Sequence, residues 1–436
     1  MGDPERGSSV AGRARRLFKR VGLARGTGAT MTSVPLVGEY ALLEVFVFLA
    51  LAELIAPLAE RAHVPPVVVW IVLGMGLSNF ALGGLLNQLF GAALFGTGTY
   101  VLLFADLSVI LLLFAAGLES GVRSLRDSGA AAVGAAVAGD LAPFALTAVV
   151  ASWFVPLDTA LLLGVAVAPT SAAVVATLRR SEQVGETPSG RLLLNAAALD
   201  DVVALILLTV VLTIVGGHVN VLAVTGSVAE STVAWVVLLL AAVVVIPRLL
   251  RLPALRETRG MPFLFLFVLV AIVVGLGFSA VIGAFIAGMA VAESLVAERT
   301  RELTEVLLVF FGALFFVVVG AQFDVHDLLE PGLVGAGLGL AGLAIAGKLV
   351  GVYPFARRRL GSAVAARATA VGMIPRGEIG LVVGAIGLAS GRFGQTELGA
   401  ILLMALATTV AGSWAFRRAA RELRGGDTTP PPSSTA

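Results

Sequence analysis

Residues 190–217 read GRLLLNAAALDDVVALILLTVVLTIVGG, an apolar run that is long enough to cross a bilayer as a helix. Two adjacent carboxylates, Asp200 and Asp201, lie near its middle, and Asn195 precedes them by about a turn and a half. A charged side chain at the centre of a bilayer costs roughly 2.5–3.5 kcal/mol on insertion scales. Two neighbouring carboxylates cost more unless something neutralises them. The pair is therefore a candidate ion or proton site, with a purely structural pair inside a helix bundle as the alternative.

The composition of the chain indicates a polytopic membrane protein. Of its 436 residues, 58% are hydrophobic and 13% are charged, whereas a soluble domain carries roughly 25% charged residues. The sequence contains no cysteine, which excludes disulfides, thiol nucleophiles and thiolate metal sites. The pI of about 9.4 comes mostly from arginines in short loops between apolar runs. This pattern is typical of topology signals rather than of a nucleic-acid-binding face.

Thirteen apolar runs are candidate transmembrane spans, which predicts an all-α membrane protein. The stretch 262–296 is too long for one crossing at a rise of about 1.5 Å per residue, and arginine loops flank it on both sides. We therefore expect two short spans that turn near Gly275, Gly277 and Ser279. The thirteen runs cover residues 41–59, 65–84, 98–117, 128–154, 157–178, 190–217, 230–250, 262–278, 279–296, 304–323, 331–355, 362–390 and 395–416.

Arginines occupy alternate loops between these spans, and the intervening loops carry only Arg392. By the positive-inside rule, the arginine-bearing loops and the C-terminus face the cytoplasm, and thirteen spans then put the N-terminus outside. The first 25 residues conflict with this orientation because they contain seven basic residues. A translation start at Met31 would remove that charge; a cleaved or exported basic arm is the alternative. Residues 1–38 are polar and basic, and we expect them to be disordered.

The thirteen spans divide into six, one and six. We predict one six-helix repeat over residues 39–218 and a second, inverted repeat over 262–418. A linker helix with a cytoplasmic loop would occupy 219–261, and a short flexible tail 419–436.

The fifth span of each half is interrupted near its centre. Proline breaks a helix, and breaks at corresponding positions in two halves indicate the binding site of a transporter. An ordinary kink is the alternative for either break alone. The first break contains Pro169, Thr170 and Ser171, and the second contains Pro375, Arg376 and Glu378.

Lys348 is one of only two lysines in the chain, and it lies inside the run 331–355. It either pairs with one of the aspartates or extends to the cytoplasmic interface near Arg357. Four further acids lie in apolar runs without a recognised partner, and for these we expect interhelical hydrogen bonds, although Asp140 could face the site. These acids are Glu44, Glu53, Asp106 and Asp140.

The motifs LNAAALDDVVAL, APTS, GKLVGVY and MIPRGEIGLVV, with LLLFAAGLE and FFVVVGAQFD, together resemble the bacterial cation:proton antiporters. More narrowly, the chain resembles the double-aspartate, NapA-type sodium/proton antiporters over roughly residues 40–418. The resemblance implies a homodimer in which a core domain with two crossed discontinuous helices moves against a scaffold domain. The Kef-type potassium members carry a Gln-Asp pair in place of Asp200 and Asp201.

The same resemblance assigns roles to the candidate residues. Asp201 would be the essential ion carboxylate, and Asp200 the ion-pair partner of Lys348. Thr170 and Ser171 would line the site, and the second break would let Glu378 approach Lys348. Double-aspartate members of the family are electrogenic, and Lys348 as a third titratable group points the same way.

The charges of the site predict a transport function. With both aspartates ionised and Lys348 protonated, the site carries about one net negative charge, and its oxygen ligands suit a hard cation such as sodium or lithium. We expect a secondary antiporter in a prokaryotic inner membrane, with sodium and protons as substrates and without a cofactor, nucleic-acid partner or enzymatic reaction. Potassium/proton antiport and a cation channel are alternatives. An intramembrane aspartyl protease fits poorly, because adjacent residues on one helix point about 100° apart whereas such a dyad shares one proton.

Overall fold

The computed structural model describes residues 39–61, 64–90, 95–121, 129–185, 187–216 and 221–426. The predicted basic arm 1–38 and residues 427–436 lie outside this part of the chain. The described residues form seventeen α-helices and one short 3₁₀-helix, without a strand among them, which confirms the all-α class. The helices are α1 (Glu39–Arg61), α2 (Pro66–Leu77), α3 (Leu82–Phe90), α4 (Thr99–Glu119), α5 (Gly129–Ala151), α6 (Leu157–Val167), α7 (Ala172–Ser181), α8 (Pro188–Gly216), α9 (Val221–Leu249), α10 (Pro253–Glu257), α11 (Met261–Gly275), α12 (Ala280–Ala292), α13 (Ala297–Ala321), α14 (Pro331–Leu360), α15 (Ala363–Gly372), α16 (Glu378–Ala389) and α17 (Gln395–Gly426).

Each predicted apolar run coincides with one helix or with a pair of helices. Seven helices are long and apolar enough to cross a membrane by themselves, and the bent pair of α2 and α3 makes an eighth. The long stretch 262–296 divides into α11 and α12, as its length predicted. Gly277 lies in the turn between them with φ of 86°, a conformation that favours glycine, and Ser279 is the N-cap of α12.

Two boundaries differ from the predicted ones. The run 65–84 is not one straight span, because the helix ends at Leu77 and the chain bends by 41° before α3. The Ser78 hydroxyl accepts a hydrogen bond from the Phe80 N–H (3.2 Å) in that bend. At the other end of the chain, α17 continues past residue 419 to Gly426, so the first part of the predicted flexible tail is helical. An ion pair at 2.9 Å from Arg424 to Glu182 supports that extension.

The helices pack into two groups. In the first, which we call the α13 group, α13 packs against α1, α2 and α4, and α12 packs against α4, α9 and α11. In the second, the α14 group, α14 packs against α5, α15 and α17, and α8 packs against α5, α6, α7 and α15. Glycine allows close contacts inside the first group: a Cβ on Gly117 of α4 would overlap the Phe285 carbonyl of α12.

The two groups divide the predicted repeats evenly. The first three spans of each six-span repeat belong to the α13 group, and the last three belong to the α14 group. The resemblance predicts a scaffold domain and a core domain. The repeat boundaries and their inverted orientation stay predictions.

Candidate ion site

The two broken spans meet at their breaks. The Ser171 N–H, between α6 and α7, donates to the Pro375 carbonyl, between α15 and α16, at 2.9 Å. The Thr170 hydroxyl donates to the Met373 carbonyl at 3.0 Å. Backbone groups that leave a helix must find other partners inside a bilayer. Here each break supplies partners to the other, and the elements predicted from Pro169 and Pro375 therefore form one unit.

Asp200 joins three elements of the α14 group. Its side chain is fully buried, and Oδ2 accepts a hydrogen bond from the Thr170 N–H at 2.5 Å. Oδ1 accepts one from the Lys348 ammonium on α14, also at 2.5 Å. The structure thus contains the ion pair predicted between Asp200 and Lys348, and Lys348 is buried rather than extended to the interface.

Lys348 has a second carboxylate partner that the sequence did not identify. Its Nζ lies 2.8 Å from Oδ1 of Asp140, on α5, and both side chains are fully buried. Sequence reasoning left Asp140 without a partner because hydropathy does not show which way a buried helix is rotated. The available signal was an acid in the span next to a broken one, and it indicated only that Asp140 could face the site.

Arg376, in the second break, holds the end of the first broken helix. Its guanidinium donates to the carbonyls of Ala168 and Pro169 and, at 3.1 Å, to the Ala344 carbonyl of α14. The last carbonyls of a helix have no partner within the helix and carry partial negative charge. At the end of α6 the buried guanidinium supplies both hydrogen-bond donors and a positive charge to these carbonyls. The Thr409 hydroxyl donates to the Arg376 carbonyl at 2.7 Å.

Asp201 faces a different environment from its neighbour. It is 3% exposed and lines a cavity of about 220 Å³ between the two helix groups. Trp70 and Phe316 of the α13 group line the same cavity, as do the acids Glu119 and Glu378. Because adjacent residues on a helix point about 100° apart, one aspartate reaches the buried lysine and the other reaches the cavity.

Two predicted site residues, Glu378 and Asn195, lie outside the hydrogen bonds described above. Glu378 lines the cavity with Asp201, whereas the described hydrogen bonds of Lys348 go to Asp140 and Asp200, so the approach of Glu378 to Lys348 stays a prediction. Asn195 lies half-buried on α8, and among the described residues its side chain shares none of the hydrogen bonds above.

The cavity lining reaches the end of α4. It includes Glu119, the last residue of that helix, where Arg301 donates to the Leu118 carbonyl at 3.4 Å. In the α14 group, Arg392 forms an ion pair with Asp158 of α6 at 2.8 Å. Arg392 also donates to the Val215 carbonyl of α8 at 2.9 Å. These contacts tie α6, α8 and the loop before α17 together.

The buried charges of the site do not cancel. Three acids lie within it, Asp140, Asp200 and Asp201, and two bases, Lys348 and Arg376. With all five ionised, one negative charge remains in a low-dielectric region. A single monovalent cation or a single proton neutralises it, and carboxylate oxygens are ligands that hard cations prefer.

Sequence comparisons identify the family of the chain. The family described as "Sodium/hydrogen exchanger, transmembrane" matches residues 46–419. The chain is 33% identical over 271 residues to the high-affinity Na⁺/H⁺ antiporter NhaS3 of Synechocystis sp., covering 56% of each chain. It is 28% identical over 337 residues to cation/H⁺ antiporter 18 of Arabidopsis thaliana, covering 71% of this chain and 40% of that one. The chain therefore spans about half the length of these curated relatives.

The fold is also similar to that of a solved structure. The sodium/proton antiporter MjNhaP1 of Methanocaldococcus jannaschii, solved at pH 8, superposes with a TM-score of 0.64 over 88% of this chain and 99% of that one. The sequences are 18% identical, so this likeness concerns the fold alone.

Proposed function

The chain belongs to the transmembrane sodium/hydrogen exchanger family, and we propose that it is a secondary active antiporter that exchanges sodium or lithium ions for protons. The observation that supports this most is the position of Asp201, a buried carboxylate at a cavity between two helix groups. The cation would be a transported substrate, held by Asp201 and Asp200 with Thr170 and Ser171 nearby. The proposal includes no cofactor and no chemical reaction.

Exchange would follow from competition for one negative charge. A sodium ion or a proton on Asp201 neutralises that carboxylate, and either one excludes the other. An empty site leaves the Asp201 carboxylate ionised without a counter-charge, which is costly in the middle of a bilayer. The site would therefore change sides only when loaded, and this condition couples sodium movement to proton movement without a separate device.

Alternating access would come from movement of the α14 group against the α13 group. The cavity lies on the boundary between them, so relative sliding would close it at one end and open it at the other. The hydrogen bonds between the two breaks and the Arg392–Asp158 pair lie within the α14 group. They would keep the site intact while it moves.

We further propose that the exchange is electrogenic, with two protons for each sodium ion. Asp201 would carry one proton, and Lys348 would carry the second, which it would lose when sodium displaces it from Asp200. The two loaded forms then differ by one charge. Membrane voltage acts on that difference with roughly 2.3 kcal/mol per charge per 100 mV.

The proposed setting is the inner membrane of a prokaryotic cell, where the chain would be a homodimer with its C-terminus in the cytoplasm. What supports this orientation is the placement of the arginines in alternate loops and at the C-terminus. Protease protection of inside-out vesicles tests the orientation, and the mass of the detergent-solubilised particle tests the dimer.

Reconstituted vesicles test the exchange itself. A sodium gradient should drive proton movement that a trapped pH-sensitive dye reports, and a potassium–valinomycin potential should change its rate and end point. Correctly inserted protein without cation-dependent proton movement would rule out antiport. Indifference to the imposed potential would rule out the two-proton stoichiometry alone.

Potassium/proton antiport is the second candidate, because the name of the Arabidopsis thaliana relative leaves the cation open. Substituting potassium or lithium for sodium in the same vesicles distinguishes the two. Faster proton movement with potassium than with sodium would favour the second candidate.

A further inference from the structure

The Lys348 ammonium lies between two carboxylates whose surroundings differ. It is 2.5 Å from Asp200 Oδ1 and 2.8 Å from Asp140 Oδ1. The second oxygen of Asp200 is occupied by the Thr170 N–H. Asp140 Oδ2 is buried and accepts no hydrogen bond from any residue that the structure describes. The hydrogen bond that Asp140 accepts from Lys348 is thus made by Oδ1 alone.

Backbone contact between α5 and α14 fixes the Asp140–Lys348 pair. Gly347 and Gly351 lie on either side of Lys348, and a Cβ on them would overlap the backbone of Pro143 and Ala138 respectively. Helices that touch through glycines have little freedom to separate. Lys348 thus stays beside the acid on α5, whereas its bond to the acid on α8 spans a looser contact, since α8 and α14 pack less closely.

We propose that Asp140 is a positioning residue that shares Lys348 with Asp200, and that this sharing lets the transported cation displace the lysine from Asp200 more easily. With Asp200 as its sole partner, the ammonium would occupy the carboxylate that the ion needs. Asp140 shares the ammonium charge, so the competition between lysine and cation becomes weaker. The inference rests on the proposed function; the sequence indicated only that Asp140 could face the site.

The role predicts an effect on apparent affinity rather than on the maximal rate. In Asp140→Asn the ammonium keeps only Asp200, so the KM for sodium should rise roughly tenfold or more. A tenfold change corresponds to about 1.4 kcal/mol. That energy is near the low end of the coupling energies measured for close charge pairs. Asp140→Glu keeps the charge and should retain a KM near that of the wild type. Asp106→Asn makes the same chemical change at an exposed position of α4 and should leave both constants unchanged.

The experiment measures sodium-driven proton movement against sodium concentration at fixed pH, in vesicles that contain the full chain. Wild-type vesicles without exchange would contradict the proposed function, whereas an active wild type with an unchanged KM in Asp140→Asn would contradict this inference alone. Equal falls of the maximal rate in the Asn and Glu variants at constant KM would show a structural role and also overturn it. If Asp140→Asn does not insert, the KM of Lys348→Gln is compared with the KM of the double variant Lys348→Gln/Asp140→Asn. Without the lysine there is no competition, so a KM that still rises between these two variants overturns the inference.

Discussion

Replacing Asp201 with Asn removes the charge on which the proposed exchange depends. The substitution keeps the shape of a side chain that is 3% exposed and lines the cavity. With three acids and two bases ionised, the site of the wild type carries one negative charge. Asp201→Asn makes the site neutral. Asp200 cannot substitute for it, because its oxygens are already bound by Lys348 and the Thr170 N–H.

The magnitude follows from the lost attraction between the cation and the carboxylate. Two unit charges 4 Å apart interact with about 4 kcal/mol at an effective dielectric constant of about 20. Since about 1.4 kcal/mol is tenfold in affinity, sodium binding should weaken about a thousandfold. Sodium-driven proton movement by Asp201→Asn should therefore be absent at concentrations that saturate the wild type, while the variant still inserts and purifies.

Two measurements together test this reasoning. Vesicle assays report exchange, and thermal unfolding in detergent reports binding. A ligand at a hundred times its Kd stabilises the folded state by about 2.7 kcal/mol, so sodium should raise the Tm of the wild type but not that of Asp201→Asn. Asp106→Asn should behave as the wild type in both assays. Near-wild-type exchange by Asp201→Asn, or an undiminished sodium effect on its Tm, would refute the assignment of Asp201.

Three further predictions concern helix contacts around the site and the start of the chain. Arg376→Gln removes the donor to three buried carbonyls. At roughly 1–3 kcal/mol per unsatisfied group, the free energy of unfolding should fall by at least about 3 kcal/mol. Thermal unfolding without sodium measures this fall, and Arg359→Gln at an exposed position is the control. Gly347→Ala should lower both Tm and the yield of inserted protein because its Cβ meets the backbone of α5, whereas Gly342→Ala on the same helix meets nothing and should be neutral; equal Tm values for both would contradict the close contact. A chain that begins at Met31 should express and transport like the full chain, and failure to insert would show that the basic arm is needed.

The sequence predicted the features of the site that depend on local chemistry. A proline in the middle of an apolar run breaks the helix wherever the run packs, so the breaks at Pro169 and Pro375 could be located from the sequence. A lysine inside an apolar run needs an acid, which left Asp200 and Asp201 as candidates, and the family resemblance assigned Asp200. The turn at Gly277 followed from the length of the run and from the arginines that flank it.

The remaining features depend on how helices are rotated against one another. Asp140 reaches Lys348 because the glycines of α14 bring α5 into backbone contact, and hydropathy does not encode that rotation. The target of Arg376 was equally hidden, because Ala168 lies 208 residues away in the chain. The bend after Leu77 was missed because residues 65–84 are apolar on both sides of it, and apolarity alone does not distinguish a straight helix from a bent one.

The division of the aspartate pair between cavity and lysine has a kinetic consequence. The cavity of about 220 Å³ has room for several waters at roughly 30 Å³ each, so an arriving ion meets Asp201 while water still surrounds its other side. The ion can therefore exchange its hydration shell for protein oxygens one ligand at a time, instead of losing it in one step. Under this scheme the first contact of the ion with Asp201 leaves the Asp200–Lys348 bond intact. The ion competes with the lysine for Asp200 only when it loses its last water. We accordingly expect ion entry to be fast and the breaking of the buried ion pair to set the pace of occupancy.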